Sequence, residues 1–195
     1  MTLPEFGSGK QEWRKHLVSR RKAVPAEVRE AEAQALARSA AALAWRAATV
    51  CAYVPIGSEP GSLALLDELR SAGRRVLLPV VTGAAPLDWG VYFGEDSLVP
   101  GPHGLREPSG LRLGPNAVAN ADAALVPALA VDQRGVRLGR GAGHYDRSLA
   151  GVSGVPLIAV VRDEELVDLL PGEPHDVRMT AALTPGGGLV TLSGM

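Results

Sequence analysis

The chain of 195 residues has little of what marks several protein classes. Its single cysteine, Cys51, cannot form an internal disulfide and is expected to be a buried, reduced thiol. Aromatic residues make up only 4% of the chain, too few for the stacking surface on which single-stranded nucleic acid binds. The lone cysteine argues against a disulfide-rich domain, and the few aromatic residues argue against a module that binds single-stranded nucleic acid.

Strong charge and long apolar runs are also missing. The net charge of −1 offers no basic surface for nucleic acid or an anionic membrane. No apolar run approaches the roughly 20 residues of a membrane span, and the first residues carry no apolar signal core. Because 46% of residues are hydrophobic and 21% are charged, the composition is that of an ordinary globular domain. We expect a cytoplasmic protein with no nucleic-acid or membrane partner.

Glycine and arginine are concentrated in one segment, which reads Arg137-Leu-Gly-Arg-Gly-Ala-Gly-His-Tyr-Asp-Arg147. Its alternating glycines allow backbone N–H groups to converge on an anion without Cβ atoms in the way. Its arginines can each grip a phosphate through two hydrogen bonds, and Asp146 offers a hard oxygen ligand for phosphate-bound Mg²⁺. The pattern predicts a nucleotide phosphate loop, with a merely solvated Arg/Gly turn as the alternative.

The spacing of this segment excludes two common phosphate-binding motifs. A P-loop needs Gly-x-x-x-x-Gly-Lys followed by Ser or Thr, and the chain has none. A dinucleotide fingerprint needs a glycine in place of His144 and a strand directly before it, whereas residues 132–138 intervene here. The loop therefore belongs to another class of phosphate site.

Five motifs, in a fixed order along the chain, carry a family resemblance. The most specific is the segment 125–147, whose end matches the pattern Gly-x-Arg-Leu-Gly-x-Gly-x-Gly-Tyr-Tyr-Asp apart from His144. The other four are Lys10-Gln-Glu-Trp-Arg14, Val54-Pro-Ile-Gly-Ser-Glu-Pro-Gly-Ser62, Gly104-Leu-Arg-Glu-Pro108 and Leu170-Pro-Gly-Glu-Pro-His-Asp176. Together they resemble the signatures of the 5-formyltetrahydrofolate cyclo-ligases, also called methenyltetrahydrofolate synthetases.

The resemblance implies an ATP- and Mg²⁺-dependent ring closure. Members of this family convert 5-formyltetrahydrofolate to 5,10-methenyltetrahydrofolate with release of ADP and phosphate. Phosphorylation of the formyl oxygen, followed by attack of N10, makes that oxygen a good leaving group. Two alternatives stay open from the residues alone: an ATP-dependent enzyme for a different formamide or amine, and a folate-binding module without turnover.

The resemblance also assigns roles to individual residues. Arg140 and Tyr145 are the catalytic candidates, and Asp146 and Asp176 are the expected Mg²⁺ ligands. The expected ATP-binding residues are Lys10, Arg14, Arg137, Leu138, Gly139, Arg140, Gly141, Ala142, Gly143, His144 and Tyr145. The expected substrate-binding residues are Val54 and Glu59. Trp89 and Tyr92 are added for a different reason, because three of the eight aromatic residues fall within positions 89–93 and could line the substrate pocket.

Each assignment has a structural alternative. Lys10 and Arg14 are four residues apart and share one helix face, which is also the pattern of a solvated face. Glu59 alone would suit a surface turn, Asp176 a turn or helix cap, and strand aromatics such as Trp89 are more often core. The resemblance favours function for Lys10, Arg14, Glu59 and Asp176, whereas the core alternative stays open for Trp89.

Ala128 and Val131 stand where the family usually has Gly and Phe, changes that look compatible with function, and two further departures matter more. Ala142 stands where the family often has Lys or Arg, which removes one phosphate contact. His144 stands where Tyr is usual, and its charge is expected to vary near neutral pH. Zinc is not expected, because the four histidines show no metal-ligand spacing.

Alternating helical and apolar segments predict one α/β domain over residues 1–195, as a Rossmann-like, three-layer α/β/α sandwich with a mostly parallel sheet. We expect a monomer or weak homodimer, with loose ends at 1–9 and 185–195. Motif residues that follow strands should meet beyond the carboxyl ends of the sheet. The predicted helices are 10–22, 25–45 with Val28 on its inner side, 63–72 and 163–170; the predicted strands are 49–54, 75–81, 87–93, 123–131, 156–161 and 177–184, with a long loop over 94–120.

Overall fold

A computed structural model describes residues 9–43, 47–174 and 176–193 of the chain. The helices are α1 (Lys10–Ala23), α2 (Ala26–Leu43), α3 (Leu63–Ser71) and α4 (His144–Leu149). The strands are β1 (Thr49–Cys51), β2 (Arg75–Val80), β3 (Asp88–Val91), β4 (Leu98–Pro100), β5 (Arg106–Pro108), β6 (Ala123–Pro127), β7 (Ala130–Asp132), β8 (Arg137–Leu138), β9 (Leu157–Val160), β10 (Leu166–Val167), β11 (Ala181–Thr184) and β12 (Gly188–Thr191).

A seven-stranded sheet with the order β12-β11-β9-β6-β1-β2-β3 forms the centre of the fold. Its five inner strands pair in parallel, and the edge strands β12 and β3 pair antiparallel with their neighbours. Helices lie on both of its faces. The α/β class and the mostly parallel sheet are therefore confirmed.

The strand order reverses between β1 and β6. From β1 the chain proceeds outward to β2 and β3, and from β6 it proceeds in the other direction to β9 and β11. Where two such halves meet, the connections leave the sheet on opposite sides and open a crevice at the carboxyl ends of the strands. The topology alone therefore locates a ligand site beyond the ends of β1 and β6.

Alternation along the strands divides the core between the two faces of the sheet. Val50 packs with Leu36 of α2 and Leu66 of α3 on one face. Its neighbour Cys51 points to the other face, where it lies in a cluster with Leu149 of α4. Burial raises the pKa of the Cys51 thiol to about 12, as expected for an unreactive core thiol.

Helix α1 packs on a second, three-stranded sheet with the order β10-β7-β8. Trp13 and Leu17 on the inner face of the helix are buried against Leu129 and Leu138. This small sheet continues from the end of β6, so it carries α1 to the rim of the crevice. Three basic residues of α1, Lys10, Arg14 and Arg21, are thereby placed beside the ligand site rather than in bulk solvent.

The predicted single strand 123–131 is two strands in different sheets. β6 pairs with β1 and β9, while β7 pairs with β8 and β10. The break falls at Pro127, which has no N–H to donate to a ladder. An apolar run without polar interruption conceals such a change of sheet, which is why the prediction was wrong here.

Two further predicted elements are wrong. The expected helix over 163–170 is a single 3₁₀ turn, Asp163–Glu165, followed directly by β10. The Asp163 carboxylate accepts hydrogen bonds from Thr184 and Gly186 instead of capping a helix. The expected loop 94–120 contains the hairpin of β4 and β5, together with three 3₁₀ turns.

The ends of the chain differ from the expectation in part. Residues 188–191 were expected to be loose, but they form β12 and pair with all four residues of β11. Val28 was expected on the inner side of α2, but it is exposed. The predicted extension of that helix to Trp45 lies outside the described residues. Across the described ranges, no helix is both long and apolar enough to cross a bilayer.

A buried aspartate fixes the tight turn between β7 and β8. Asp132 is fully buried, and its carboxylate accepts the N–H groups of Arg134, Val136 and Leu170. Within this turn Gly135 has φ of 79°, a left-handed conformation, and a Cβ at that position would overlap the carbonyl oxygen of Met179. The turn directly precedes the segment 137–147, so its geometry determines where the glycine-rich loop starts.

We expect Gly135→Ala to lower the free energy of unfolding by about 3 kcal/mol, because left-handed strain and backbone overlap add together. Gly154→Ala is a matched control, since Gly154 has φ of 76° with nothing within 4 Å of its Cβ position. The control should cost only about 1 kcal/mol. Urea denaturation measures the free energy of unfolding of both variants. Equal losses would show that the close contact with Met179 adds no cost to an alanine at position 135.

Candidate active site

One cavity of about 800 Å³ occupies the crevice at the ends of β1 and β6. Its walls come from α1, from the segments that follow β1 and β6, from residues 137–147 and from residues 173 and 176. Of the seventeen predicted site residues, fifteen line it. The sheet topology and the motif residues therefore indicate the same place.

The remaining two predicted residues lie elsewhere. Trp89 is buried in the core on the α4 face of the sheet. Tyr92 is buried on the opposite face, and its hydroxyl donates to Asp67 at 3.0 Å. Aromatic residues of a strand next to the crevice were taken for pocket walls, but the alternation of the strand directs them into the two cores. The prediction that they line the substrate pocket is wrong.

The glycine-rich loop presents unpaired backbone donors to the cavity. Among the described residues, none accepts a hydrogen bond from the backbone N–H groups of residues 140–143. Gly141 and Gly143 have φ of 105° and 69°, so the loop turns through conformations that side chains disfavour. Arg14 of α1 steadies it by donating from Nε to the carbonyl oxygen of Gly139 at 2.9 Å. Such a concave set of N–H groups suits phosphate oxygens.

Arg137 is held rigidly at the base of this loop. Its side chain is 5% exposed, and Nη2 donates to Oδ1 of Asp146 at 2.7 Å. Nη1 donates to the carbonyl oxygen of Pro127 at 3.1 Å, and the guanidinium lies 5.7 Å from the centre of the Tyr145 ring. A charge fixed in this way needs no reorganisation when an anion binds.

Arg140 and Glu59 form the link between the loop and the other half of the cavity. Arg140 Nε lies 2.9 Å from Glu59 Oε1, while Glu59 Oε2 accepts the N–H of Ile56 at 3.0 Å. The Glu59 side chain is only 10% exposed, whereas that of Arg140 is 48% exposed. Glu59 is therefore part of the cavity wall, and the alternative of a solvated surface turn does not hold.

Tyr145 contributes a buried hydroxyl with no hydrogen-bond partner among the described residues. Burial, and then the negative charge of Glu59, raise the pKa of this phenol well above its ordinary value. The hydroxyl therefore stays protonated and can act as a donor to a bound ligand.

Lys10 and two carboxylates form the opposite end of the cavity. Lys10 Nζ lies 2.6 Å from Glu173 and 3.0 Å from Asp176, and the N–H of Glu173 donates to Asp176 at 2.7 Å. Burial acts to lower the pKa of Lys10, but the hydrogen bonds to Glu173 and Asp176 outweigh it, so the pKa is raised. The ammonium group is therefore charged at every physiological pH.

Asp146 and Asp176 fit the ligand chemistry of Mg²⁺. Both line the cavity, and Oδ2 of Asp146 accepts no hydrogen bond from the described residues. Within the described ranges, no three His, Cys, Asp or Glu side chains surround a common point as metal ligands. Two carboxylates nevertheless suffice for Mg²⁺, which usually keeps several waters and phosphate oxygens.

The surroundings of Ala142 and His144 bear on both departures from the family pattern. Arg147 Nη1 donates to the carbonyl oxygen of Ala142 at 3.1 Å, which brings another cation beside this position. Arg147 Nη2 lies 3.2 Å from His144 Nδ1. Burial, and then the charges of Arg147 and His103, lower the pKa of His144 from its ordinary value of 6.5. The expected charge change near neutral pH is therefore displaced toward acid, and the ring is neutral at pH 7.

Sequence analysis missed Arg21, a buried residue of α1 that lines the cavity. Its side chain donates to both oxygens of Glu165 and to the carbonyl oxygen of Ala128. In the sequence it stands in the run Arg20-Arg21-Lys22, which is typical of a solvated helix end. The available signal was its position seven residues after Arg14, which keeps it on the same helix face.

The segment 94–120, predicted as a loop, also supplies part of the cavity wall, although none of its residues was among the predicted site residues. Leu105 and Arg106 of this segment line the cavity together with Leu87 and Val81. Glu107 supports this part of the wall, because its buried carboxylate accepts the N–H of Val81 at 2.9 Å. The cavity thus has a charged half at α1 and the glycine-rich loop, and a more apolar half at β2, β3 and β5.

Comparisons with known proteins agree with this geometry. The family model described as the 5-formyltetrahydrofolate cyclo-ligase family matches residues 7–185. A 5-formyltetrahydrofolate cyclo-ligase of Mycolicibacterium smegmatis is 52% identical over 189 residues, which cover 94% of this chain and 97% of the relative. A protein of the same name from Escherichia coli is 30% identical over 70% of this chain and 78% of its own length.

Solved structures show the same fold. The 5,10-methenyltetrahydrofolate synthetase of Aquifex aeolicus superposes with a TM-score of 0.75 at 26% identity, over 94% of this chain and 93% of that one. A 5,10-methenyltetrahydrofolate synthetase of Mycoplasma pneumoniae superposes with a TM-score of 0.72 at 20% identity, over 90% of this chain and 98% of that one. At 20% identity the second likeness concerns the fold alone.

The proximity of Arg147 gives a testable pKa for His144. We expect Arg147→Gln to raise the pKa of His144, because one of the charges that oppose protonation is removed. NMR titration of the imidazole protons, assigned with a His144→Gln variant, measures this shift. Lys22→Gln, which removes a solvent-exposed cation at the far end of α1, should leave the midpoint unchanged. An unchanged or lower midpoint in Arg147→Gln would contradict the contact.

Proposed function

The chain belongs to the 5-formyltetrahydrofolate cyclo-ligase family, and we propose that it catalyses the ATP- and Mg²⁺-dependent closure of 5-formyltetrahydrofolate to 5,10-methenyltetrahydrofolate. ADP and phosphate are the other products. The observation that carries this proposal is the Arg140–Glu59 ion pair of 2.9 Å, which joins the glycine-rich loop to the other half of the same cavity. A phosphoryl donor and a folate can therefore meet in one enclosed space.

The difficulty of the reaction is that a formamide oxygen is a poor leaving group. In the proposed sequence the formyl oxygen attacks the γ-phosphorus of ATP, the bond to the bridging oxygen breaks, and ADP leaves. The product is an iminium carbon that bears a phosphorylated oxygen. N10 then attacks this carbon and loses its proton, the C–O bond breaks, and inorganic phosphate departs with the bonding electrons.

Phosphoryl transfer requires mainly positioning and charge neutralisation from the protein. The rigid Arg137 and the bridging Arg140 suit the developing charge on the transferred group, and the free N–H groups of residues 140–143 suit the remaining phosphate oxygens. Lys10 and Arg14 would complete the ATP site from α1. The buried, protonated hydroxyl of Tyr145 would donate a hydrogen bond to a reacting oxygen.

Asp146 and Asp176 would hold the Mg²⁺ ion. The ion would supply positive charge that neutralises the phosphate oxygens of ATP. Each carboxylate now pairs with a cation, Arg137 and Lys10 respectively, so those cations would become available to phosphate when the metal takes the carboxylates. The two neighbouring cations support the assignment, since each would stand beside phosphate oxygens that the ion holds.

Glu59 would orient the folate by accepting hydrogen bonds from N–H donors of the pterin ring. Val54 lies beside it on the cavity wall, and the apolar half with Leu87 and Leu105 offers room for the remainder of the substrate. Trp89 and Tyr92 have no part in this proposal, because both are core residues.

The direct test is a spectrophotometric assay that contains 5-formyltetrahydrofolate, ATP and Mg²⁺ and follows the methenyl product. ATP-dependent formation of product is the expected result. Binding of both ligands without product would indicate a folate-binding module that lacks turnover. Binding of ATP without folate would indicate an ATP-dependent enzyme for another formamide or amine.

We expect Asp146→Asn to lower kcat/KM by at least about 100-fold, because it removes a charged metal ligand and the partner of Arg137. The matched control is Asp96→Asn, since Asp96 is exposed and lies outside the cavity. Steady-state kinetics at several Mg²⁺ concentrations measure the effect. If the variant keeps its activity and its Mg²⁺ requirement, Asp146 does not hold the metal.

Glu59→Gln should separate folate recognition from ATP binding. We expect the Kd of 5-formyltetrahydrofolate to rise about tenfold or more, since a charge-assisted acceptor is lost, while the Kd of ATP changes much less. Isothermal titration calorimetry with each ligand alone measures both constants. Glu68→Gln, at an exposed site of α3, should alter neither. A larger loss for ATP than for folate would assign Glu59 to the phosphate half instead.

A further inference from the structure

Arg21 is a buried cation on the cavity wall that has no role in the proposed chemistry. It is 1% exposed, and it pairs with Glu165 at 2.6 Å and 2.7 Å. Nη2 also donates to the carbonyl oxygen of Ala128 at 2.6 Å. Burial acts to lower the pKa of Arg21, but the hydrogen bonds to Glu165 outweigh it and raise that pKa. The guanidinium is therefore permanently charged and held in one orientation.

One nitrogen of this guanidinium is left over. Nη1 of Arg21 is buried and has no hydrogen-bond partner among the described residues. The same is true of Arg137 Nε and the Tyr145 hydroxyl, and all three residues line the cavity. A buried donor without a partner costs about 1–3 kcal/mol. Three such donors around one space indicate that the space is shaped for a ligand rich in acceptor oxygens.

The position of Arg21 on α1 places it away from the phosphates. Arg14, which contacts the glycine-rich loop, precedes it by seven residues, and this corresponds to roughly 10 Å along the helix axis. Arg21 donates to the carbonyl oxygen of Ala128 just beyond β6, and both Tyr53 and Glu59 lie close enough to act on the pKa of its guanidinium. Arg21 therefore belongs to the half of the site at the strand ends, where Glu59 also lies.

From these contacts we propose that Arg21 recognises the pterin ring by donating a hydrogen bond from Nη1 to its 4-oxo oxygen; this inference rests on the proposed function. A 4-oxopterin presents two donors, at N3 and the 2-amino group, beside one acceptor at C4. A carboxylate such as Glu59 complements the donors, and an adjacent guanidinium complements the acceptor. Nη1 of Arg21, held by the contacts of this guanidinium with Glu165 and Ala128, would supply the acceptor's partner.

The inference makes Arg21 a specificity residue. A 4-amino ring places an N–H donor where the 4-oxo acceptor was. Two donors would then face each other, and Nη1 of Arg21 would stay unpaired. Sites that hydrogen-bond a substrate group in a buried setting reject analogues that lack that group. The expected effect is discrimination between 4-oxo and 4-amino folates, with no change in ATP binding.

The test compares the Kd values of 5-formyltetrahydrofolate and its 4-amino-4-deoxy analogue, measured without ATP so that no turnover occurs. The double variant Arg21→Met/Glu165→Leu removes both buried charges together and avoids leaving one carboxylate unpaired. We expect the ratio of the two Kd values to shift at least about tenfold in favour of the 4-amino compound, with the Kd of ATP within about twofold of wild type. Arg21→Lys keeps the positive charge but loses the planar guanidinium with its several N–H donors. This variant should shift the ratio in the same direction.

Arg162→Lys is the matched control. Arg162 is equally buried, pairs with Glu32 through Nη1 and also has an Nε without a hydrogen-bond partner among the described residues, but it does not line the cavity. The control should keep the wild-type ratio. Folded variants that bind ATP and retain the wild-type ratio would show that Arg21 serves packing alone and would overturn the inference. Wild-type protein that binds neither folate would overturn the proposed function itself, which is a different result.

Discussion

The end of strand β6 is the constraint on which the site depends. When the chain leaves the main sheet at Pro127, the carbonyl groups of Pro127 and Ala128 no longer have neighbouring strands as donors, and buried carbonyls require partners. Arg137 donates to the first and Arg21 to the second. Two guanidinium groups are thus fixed at the crevice by the backbone itself. A break in a strand supplies both the opening and the charges that line it.

Three cations of the cavity are each paired with a carboxylate. Lys10 faces Asp176, Arg137 faces Asp146, and Arg140 faces Glu59. Because like charges confined in a cleft repel, these pairs keep the cations in place before any ligand arrives. Binding of a metal–nucleotide complex would exchange partners rather than fill a purely positive cleft, since the metal suits the carboxylates and the phosphates suit the cations.

The sequence predicted what depends on local pattern and failed where tertiary context decides. The β1–α3–β2 unit and the convergence of Lys10, Glu59 and residues 137–147 follow from periodicity and motif order. The break at Pro127 and the loss of the helix after Asp163 do not, because the pattern of each segment fits either structure equally well. Trp89 and Arg21 show the same limit, because Trp89 was wrongly predicted to line the cavity and Arg21 lines it without having been predicted. The strand turns an aromatic residue into the core, and the second sheet turns a helix-end arginine inward.

Helix α1 connects these observations. Its Lys10 and Arg14 lie at the end of the cavity that we propose for the phosphates, and Arg21 lies about 10 Å further along, at the strand ends. A substrate that extends from one end to the other must therefore place its reacting group between them, where Arg140 meets Glu59. The apolar contacts of Trp13 and Leu17 with the small sheet hold the helix in this register. Packing of the inner face of α1 would thus set the distance between the proposed phosphate and folate ends of the cavity.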